Sequence, residues 1–228
     1  MKEKMINRWA VYIAGLVLLA LGLVLNTKTG MGASPIVSIA LCVSTLTGGS
    51  FANWTLAWYC VLVLAEMALH LLRRRGRLCL VMDLLQLPLS LVFTRFMGLF
   101  SGSIPDFSTE CAGSFWGTLG GRTLVLAAAI VLTGVGAAMS LDMRLIPNPG
   151  DGVVQSIADF LGLSVGATKN CVDICCVCVS LTAGLAVRGT VVGVGAGTLL
   201  AMVGVGRCIA LFNRLALPRL RAAAGLEC

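Results

Sequence analysis

Two apolar segments of this chain are too short to cross a lipid bilayer, and each lies between runs that are long enough. The first opens at Gly30-Met31-Gly32-Ala33-Ser34-Pro35 and closes at Thr47-Gly48-Gly49-Ser50. The second opens at Pro147-Asn148-Pro149-Gly150-Asp151-Gly152 and closes at Leu161-Gly162-Leu163-Ser164. At 1.5 Å rise per residue, a helix of about 12 residues, such as Pro35 to Leu46 or Gly152 to Leu161, covers about 18 Å of a hydrocarbon core about 30 Å thick. Neither segment crosses as a helix alone. Two re-entrant hairpins, each leaving the bilayer on the side it entered, are therefore expected, with tight helix-linking turns buried in the core as the competing reading.

The runs of spanning length are Trp9 to Leu25, Trp54 to Leu72, Leu78 to Phe100, Thr123 to Leu141, Cys171 to Val187 and Thr190 to Phe212. With 58% hydrophobic residues and 12% charged ones, and a mean hydropathy of +0.96, the chain lies outside soluble globular usage. The expected class is all-α: a polytopic membrane protein in the bacterial cell (inner) membrane, with the lipid bilayer as its first partner. The first run is long for a secretory signal and no small-residue cleavage site follows it, so it reads as an uncleaved helix with a cytoplasmic N-terminus. The formal charge of +7 sits at helix ends rather than along one solvated face, which argues against nucleic acid as a partner.

Charge placement tests the count of crossings. If the first short segment is re-entrant, Trp54 to Leu72 returns inward and places Arg73-Arg74-Arg75-Gly76-Arg77 in the cytoplasm, as the orientation rule for short loops requires. The 101–121 loop, with Asp106 and Glu110, then lies outside, and Arg214, Arg219 and Arg221 return to the cytoplasm with the C-terminus. A full crossing by the short segment would put the arginine cluster outside.

An internal repeat follows. An offset of 114 residues (149 − 35) pairs Pro35 with Pro149, Gly48 with Gly162 and Ser50 with Ser164, and a nearby offset of 112 (207 − 95) pairs Arg95 with Arg207. The expected organisation is a first repeat over 1–100, the external loop, a second repeat over 122–213 and a cytoplasmic tail over 214–228, together one membrane domain. Three crossings per half make the second repeat inverted relative to the first, an architecture of transporters.

The paired pattern, Gly-Ala-Ser-Pro at Gly32 to Pro35 and Asn-Pro-Gly-Asp-Gly at Asn148 to Gly152, each followed by a short apolar helix ending in Gly-x-Ser, resembles the YczE and YitT group of bacterial integral membrane proteins over nearly the whole chain. In that group Ser-Pro is typically followed by an acidic residue in the first copy. Here Ile36-Val37 stands instead, so no role of that acid carries over, whereas the second copy keeps Asp151. The resemblance implies fold and location rather than an activity.

Ser34 before Pro35 and Asn148 before Pro149 are N-cap residues followed by proline at the first helical position. A helix start held near the midplane presents backbone N–H groups that favour an anion or carboxylate. Gly30, Gly32, Gly150 and Gly152 permit close approach of backbone or solute. Among charges at membrane depth, Glu66, Arg95, Asp159, Asp173 and Arg207, the two arginines lack an in-helix partner and are expected to face solute. Glu66 with His70 and Lys169 with Asp173 are spaced to satisfy one another, and Asp83, His70 and Lys169 are placed near helix ends. The expected substrate-binding set is Gly32, Ser34, Asn148, Gly150, Asp151, Arg95 and Arg207.

The ten cysteines lie mostly inside apolar helices, as small hydrophobes. Their spacing supports neither a disulfide framework nor a metal site, including at Cys171, Cys175, Cys176 and Cys178 beside Asp173. Gly189, Gly193 and Gly197 recur every four residues and predict close helix packing in the last run. No set of acid, base and nucleophile appears, so neither enzymatic activity nor a cofactor is expected. The leading function is passage of a small solute, an anion favoured, between the two hairpins; the alternative is a non-transporting membrane factor that organises or assists a partner protein. The sequence names no substrate and no oligomeric state.

Overall fold

The computed structural model describes residues 2–216 and residue 220, with side chains from residue 5 onward. Arg219 and Arg221 lie outside the described residues. Eight helices follow in order: α1 (Lys2–Lys28), α2 (Pro35–Thr47), α3 (Phe51–Leu72), α4 (Arg77–Ser103), α5 (Leu119–Asp142), α6 (Pro149–Leu161), α7 (Val165–Arg188) and α8 (Ala196–Leu215), with one 3-10 turn at Phe115–Gly117. Six of them, all but α2 and α6, are long and apolar enough to cross a membrane. The two short helices have 13 residues each, about 20 Å of rise.

Local chemistry explains why these two helices start and stop where they do. Both carry proline at the first helical position and both end on a glycine in the left-handed region, Gly48 at φ 72° and Gly162 at φ 70°, the cap that a residue without Cβ adopts at least cost. Ser50 and Ser164 then stand as N-caps of α3 and α7. The boundaries of the short helices are thus related by the same 114-residue shift that relates their sequences.

The shift reaches further, into tertiary contacts. α1 and α5 cross at Gly22 and Gly136, themselves 114 apart. A Cβ on Gly22 would fall within 3 Å of Thr133 N and Ala129 O, and one on Gly136 would meet Leu19 N and Gly15 O. These are the same two contacts with the halves exchanged. Small residues let apolar helices bring backbone to backbone where no hydrophobic effect drives them together.

Two arginines fasten the ends of this pair. Arg8 Nε donates to the Met143 carbonyl at 2.8 Å and Arg8 Nη2 to the Arg144 carbonyl at 2.9 Å, beyond the C-terminus of α5. Arg122 Nε donates to the Thr29 carbonyl at 2.6 Å, beyond the C-terminus of α1. Arg8 and Arg122, like Thr29 and Met143, are 114 apart, and each guanidinium satisfies a carbonyl that its helix end leaves without a partner.

These contacts order the bundle end to end. Lys28, at the end of α1, pairs with Asp106 just past α4 at 3.2 Å, so α1 and α4 finish together. Arg8, at the other end of α1, meets the close of α5, and Tyr12 donates to the Ile146 carbonyl at 2.7 Å as the chain turns back along α1. α6 then runs beside α3 to the Arg75–Asp159 ion pair, at 3.2 Å. The start of the 143–162 segment thus lies against α1 near Arg8 and Tyr12, and its last turn against the corner at Arg75. At the opposite end of α1, Asn26, its amide oriented to satisfy both partners, donates to the Gly32 carbonyl and accepts from the Ser34 amide at 3.2 Å each. There the 29–34 stretch folds back along α1.

The last apolar run departs from its expected form. Residues 190–195 are not helical, and α8 begins only at Ala196. Gly189 closes α7 at φ 68° and Gly193 adopts φ 77°, so of the three regularly spaced glycines only Gly197 lies in α8, and they form no helix-packing stripe. The irregular stretch instead meets the approach to α2: Ala33 N donates to Gly193 O at 3.1 Å and Gly197 N to Met31 O at 2.8 Å.

The α1–α5 crossing generates the first prediction. Gly22→Val or Gly136→Val should each lower stability by at least 1–3 kcal/mol, the usual cost of overpacking, read as a loss of thermal stability in detergent. Gly206→Val, on α8 with nothing within 4 Å of the added carbon, should melt like the parent.

Candidate functional site

The starts of α2 and α6 meet at one cavity of about 50 Å³, larger than the roughly 10–15 Å³ that one water needs. Its walls include Ser34 and Ile36 from the start of α2, Asn148, Gly150 and Asp151 from the start of α6, Tyr59 from α3 and Lys169 from α7; Leu19, Leu23, Thr133, Ala137, Val205 and Ile209 complete them. The Tyr59 hydroxyl lies beside the Asn148 side chain. Trp58 Nε1 donates to the Ile36 carbonyl at 2.8 Å, holding the first turn of α2 against α3.

Four of the seven expected site residues, Ser34, Asn148, Gly150 and Asp151, come together here. Gly32 stands just before Ser34 at φ 110°, where a Cβ would fall 2.6 Å from Gly195 N; it serves the contact with the 190–195 stretch and does not line the cavity. Arg95 and Arg207 are both exposed and line no part of the cavity. Arg95 Nη1 donates to Asn53 Oδ1 at 3.3 Å, across from α4 to α3. Their 112-residue offset differs from the 114 that governs the rest, so the two arginines do not occupy equivalent positions.

The charge in the cavity is Lys169, which sequence position alone assigned to a helix end. It lies in the second turn of α7, 3.7 Å from Asp173 Oδ2 as its spacing predicts, and within electrostatic reach of Asp151. Asp173 is 2% exposed, and its Oδ1 has no hydrogen-bond partner among the described residues. Tyr59 went unnoticed as well. The 114-residue shift pairs it with Asp173, and that was the available signal.

The two helix starts differ electrically. Asn148 caps its own helix, its Oδ1 accepting from Gly150 N at 3.1 Å, and Asp151 adds a carboxylate in the first turn. Ser34 makes no side-chain cap bond, and the first turn of α2 contains no acid. The N-terminal dipole of α6 is therefore offset by its own residues, whereas that of α2 retains its preference for an external negative group. Lys169 adds a cation to the cavity, opposed by Asp173 and Asp151.

The remaining charged residues at depth form a second group. Glu66 and His70 do not bond to each other: Glu66 accepts from Gln86 Nε2 at 2.9 Å and from Ser156 Oγ at 3.3 Å, and His70 pairs with Asp83 at 2.7 Å. Asp83 is 2% exposed, so it does not snorkel to an interface. Gly152 makes room for this group, since a Cβ there would lie 2.5 Å from Glu66 Oε2. The shift maps Gly152 and Ser156 onto Ser38 and Cys42, and Glu66 onto Ser180. Ser38 Oγ lies 2.8 Å from Ser180 Oγ, and Cys42 donates to the Ser180 carbonyl. One packing plan occurs twice across the two halves, with the Glu66 carboxylate at one occurrence and the Ser180 hydroxyl at the other.

Removing the cation tests this electrostatic arrangement. Lys169→Met should destabilise the protein by about 2 kcal/mol, below the ~3–5 of a fully buried pair because Lys169 stays one-third exposed. Asp173→Asn in the same chain should restore most of the loss in a thermal melt.

Residues 6–214 match a family model described as a family of unknown function. No curated protein and no solved structure matches the chain.

Proposed function

The matched family is DUF6198, to which this chain belongs, and we propose from the geometry of the cavity that the protein carries a small solute bearing an anionic group across the membrane. The observation that carries this reading is the meeting of two proline-started helix ends at one partly open pocket, which Lys169 and the uncapped start of α2 both line. Broken elements ending near mid-bundle are where transporters place their solutes. Asp151 in the same lining suits a solute that also carries a proton or an amino group. The solute thus lies between α2 and α6, and Arg95 and Arg207 are outside the binding set.

On this reading α2 and α6 are re-entrant and the two halves are inverted. The exchange of contacts under one shift supports it, as do the contacts of the 143–162 segment at its two ends, with Arg8 and with Arg75. The end with Arg8, Arg73, Arg74, Arg75, Arg77, Arg144 and Arg214 is the cytoplasmic one by the orientation rule, which puts both termini inside a bacterial cell membrane. The resemblance to the YczE and YitT group accords with that location.

A ligand that binds only the folded protein raises its stability by about 2.7 kcal/mol at a hundred times its Kd. Purified protein melted against chloride, phosphate, sulfate, acetate and zwitterionic amino acids should show stabilisation by at least one, abolished by Lys169→Met and kept by Arg95→Ala. No stabilisation by any of them would favour the non-transporting alternative.

Sidedness is tested separately. In an otherwise cysteine-free chain, Thr47→Cys should react with an impermeant thiol reagent from outside the cell and Leu161→Cys only from the cytoplasmic face. Labelling of both from one side would reject the inverted arrangement.

A further inference from the structure

The four-residue corner between α3 and α4 brings three kinds of ligand atom to one place. Arg74 adopts the left-handed conformation, φ 52°, and the Arg75 amide donates to the His70 carbonyl, so the chain reverses within one turn. Cys79 and Asp83, four apart on α4, share one face of that helix, opposite His70 in the last turn of α3. His70 Nδ1 lies 2.7 Å from Asp83 Oδ2 and 3.4 Å from Cys79 Sγ. All three ligand atoms fall within 4.8 Å of one another.

The other imidazole nitrogen is held from behind. Nε2 lies 2.9 Å from Ser156 Oγ on α6, and Ser156 Oγ donates to Glu66 Oε1. With the hydroxyl proton given to Glu66, Ser156 accepts Nε2–H, and Nδ1 is the ring atom turned toward a carboxylate oxygen and a sulfur. In the unloaded site a proton on Nδ1 bonds Asp83, and an ion that replaces it meets a nitrogen, a carboxylate oxygen and a sulfur within 4.8 Å of one another. A histidine whose outer N–H is fixed, through a hydroxyl, to a carboxylate is oriented as metal-bound imidazoles are. One turn on from Asp83, the Gln86 side chain is fully buried, and its Oε1 has no partner among the described residues.

We propose that His70, Cys79 and Asp83 bind a divalent transition ion of borderline softness, Zn2+ foremost, with Ser156 and Glu66 as positioning residues. A nitrogen, sulfur and oxygen set suits Zn2+ and its late first-row neighbours, whereas Mg2+ and Ca2+ take oxygen alone. Ligands about 2.0–2.3 Å from a tetrahedral ion stand about 3.3–3.8 Å apart. Loading therefore parts His70 from Asp83 by about half an ångström or somewhat more and leaves a fourth position open. The thiol of Cys79 and any proton on Nδ1 are released to solvent as the ion enters. The site ties α3 to α4 and, through Ser156, to α6, and it stands independently of what the cavity carries.

The test uses the full chain in detergent, stripped by a chelator and titrated with Co2+. One equivalent should bind with a thiolate-to-cobalt charge-transfer band in the near ultraviolet, Zn2+ should displace it, and Zn2+ alone should raise the melting temperature. Cys79→Ser should bind without that band, His70→Gln and Asp83→Asn should bind at least tenfold more weakly, and Cys171→Ser should behave as the parent. Helix content and elution volume identify variants that remain folded, and the parent spectrum requires no variant. Absence of a saturable band in the parent, a band that survives Cys79→Ser, or Zn2+ stabilisation that survives His70→Gln would overturn the proposal.

Discussion

The contact between α1 and α5 at Gly22 and Gly136 is the constraint from which the rest of the arrangement follows. Both helices are apolar along most of their length, so in a lipid solvent nothing but shape and hydrogen bonding draws them together. Glycine at the crossing lets each backbone reach the other. Once they are crossed, the residues after each helix lie beside the start of the other, where Arg8 and Arg122 hold carbonyls that would otherwise be unpaired. The chain that follows each of those contacts leads to a buried proline, Pro35 or Pro149, where α2 and α6 begin.

What was legible in the sequence is what local chemistry determines. Proline at the first turn, glycine in the left-handed cap and serine before the next helix need only a few residues to specify them, and the two short helices end where those residues place them. The six long helices were legible through hydropathy alone. The Gly189 to Gly195 stretch was misread for the same reason, since Val191, Val192 and Val194 keep it apolar while the glycines let it leave the helix to meet Met31 and Ala33.

The candidate site was legible only at its backbone end. Ser34, Asn148, Gly150 and Asp151 were visible because capping residues announce helix starts. Lys169 was not, because its distance from a helix end along the chain says little about where a long side chain reaches. Arg95 and Arg207 were chosen for lacking partners on their own helices, yet Arg95 finds one on α3. The His70, Cys79 and Asp83 group escaped a search along the chain for cysteine pairs, since its ligands come from two helices brought together by a corner. Applied to Arg8, the 114-residue shift would have found Arg122, but neither is remarkable until the carbonyls they reach are placed in space.

The pairing of Ala33 with Gly193 and of Met31 with Gly197 joins non-helical backbone from the two halves. At the related place in the other half, a short corner passes directly from Arg73 to Arg77, where α4 begins. The likeness between the halves is therefore broken at one end of the molecule. The approach to α2 is stitched by main-chain bonds to the foot of α8, whereas among the described residues the approach to α6 makes no main-chain bond to the start of α4. The join between the two parts of the chain is thus made by main-chain bonds on the Lys28 side and by side-chain bonds from Arg8 and Tyr12 on the other.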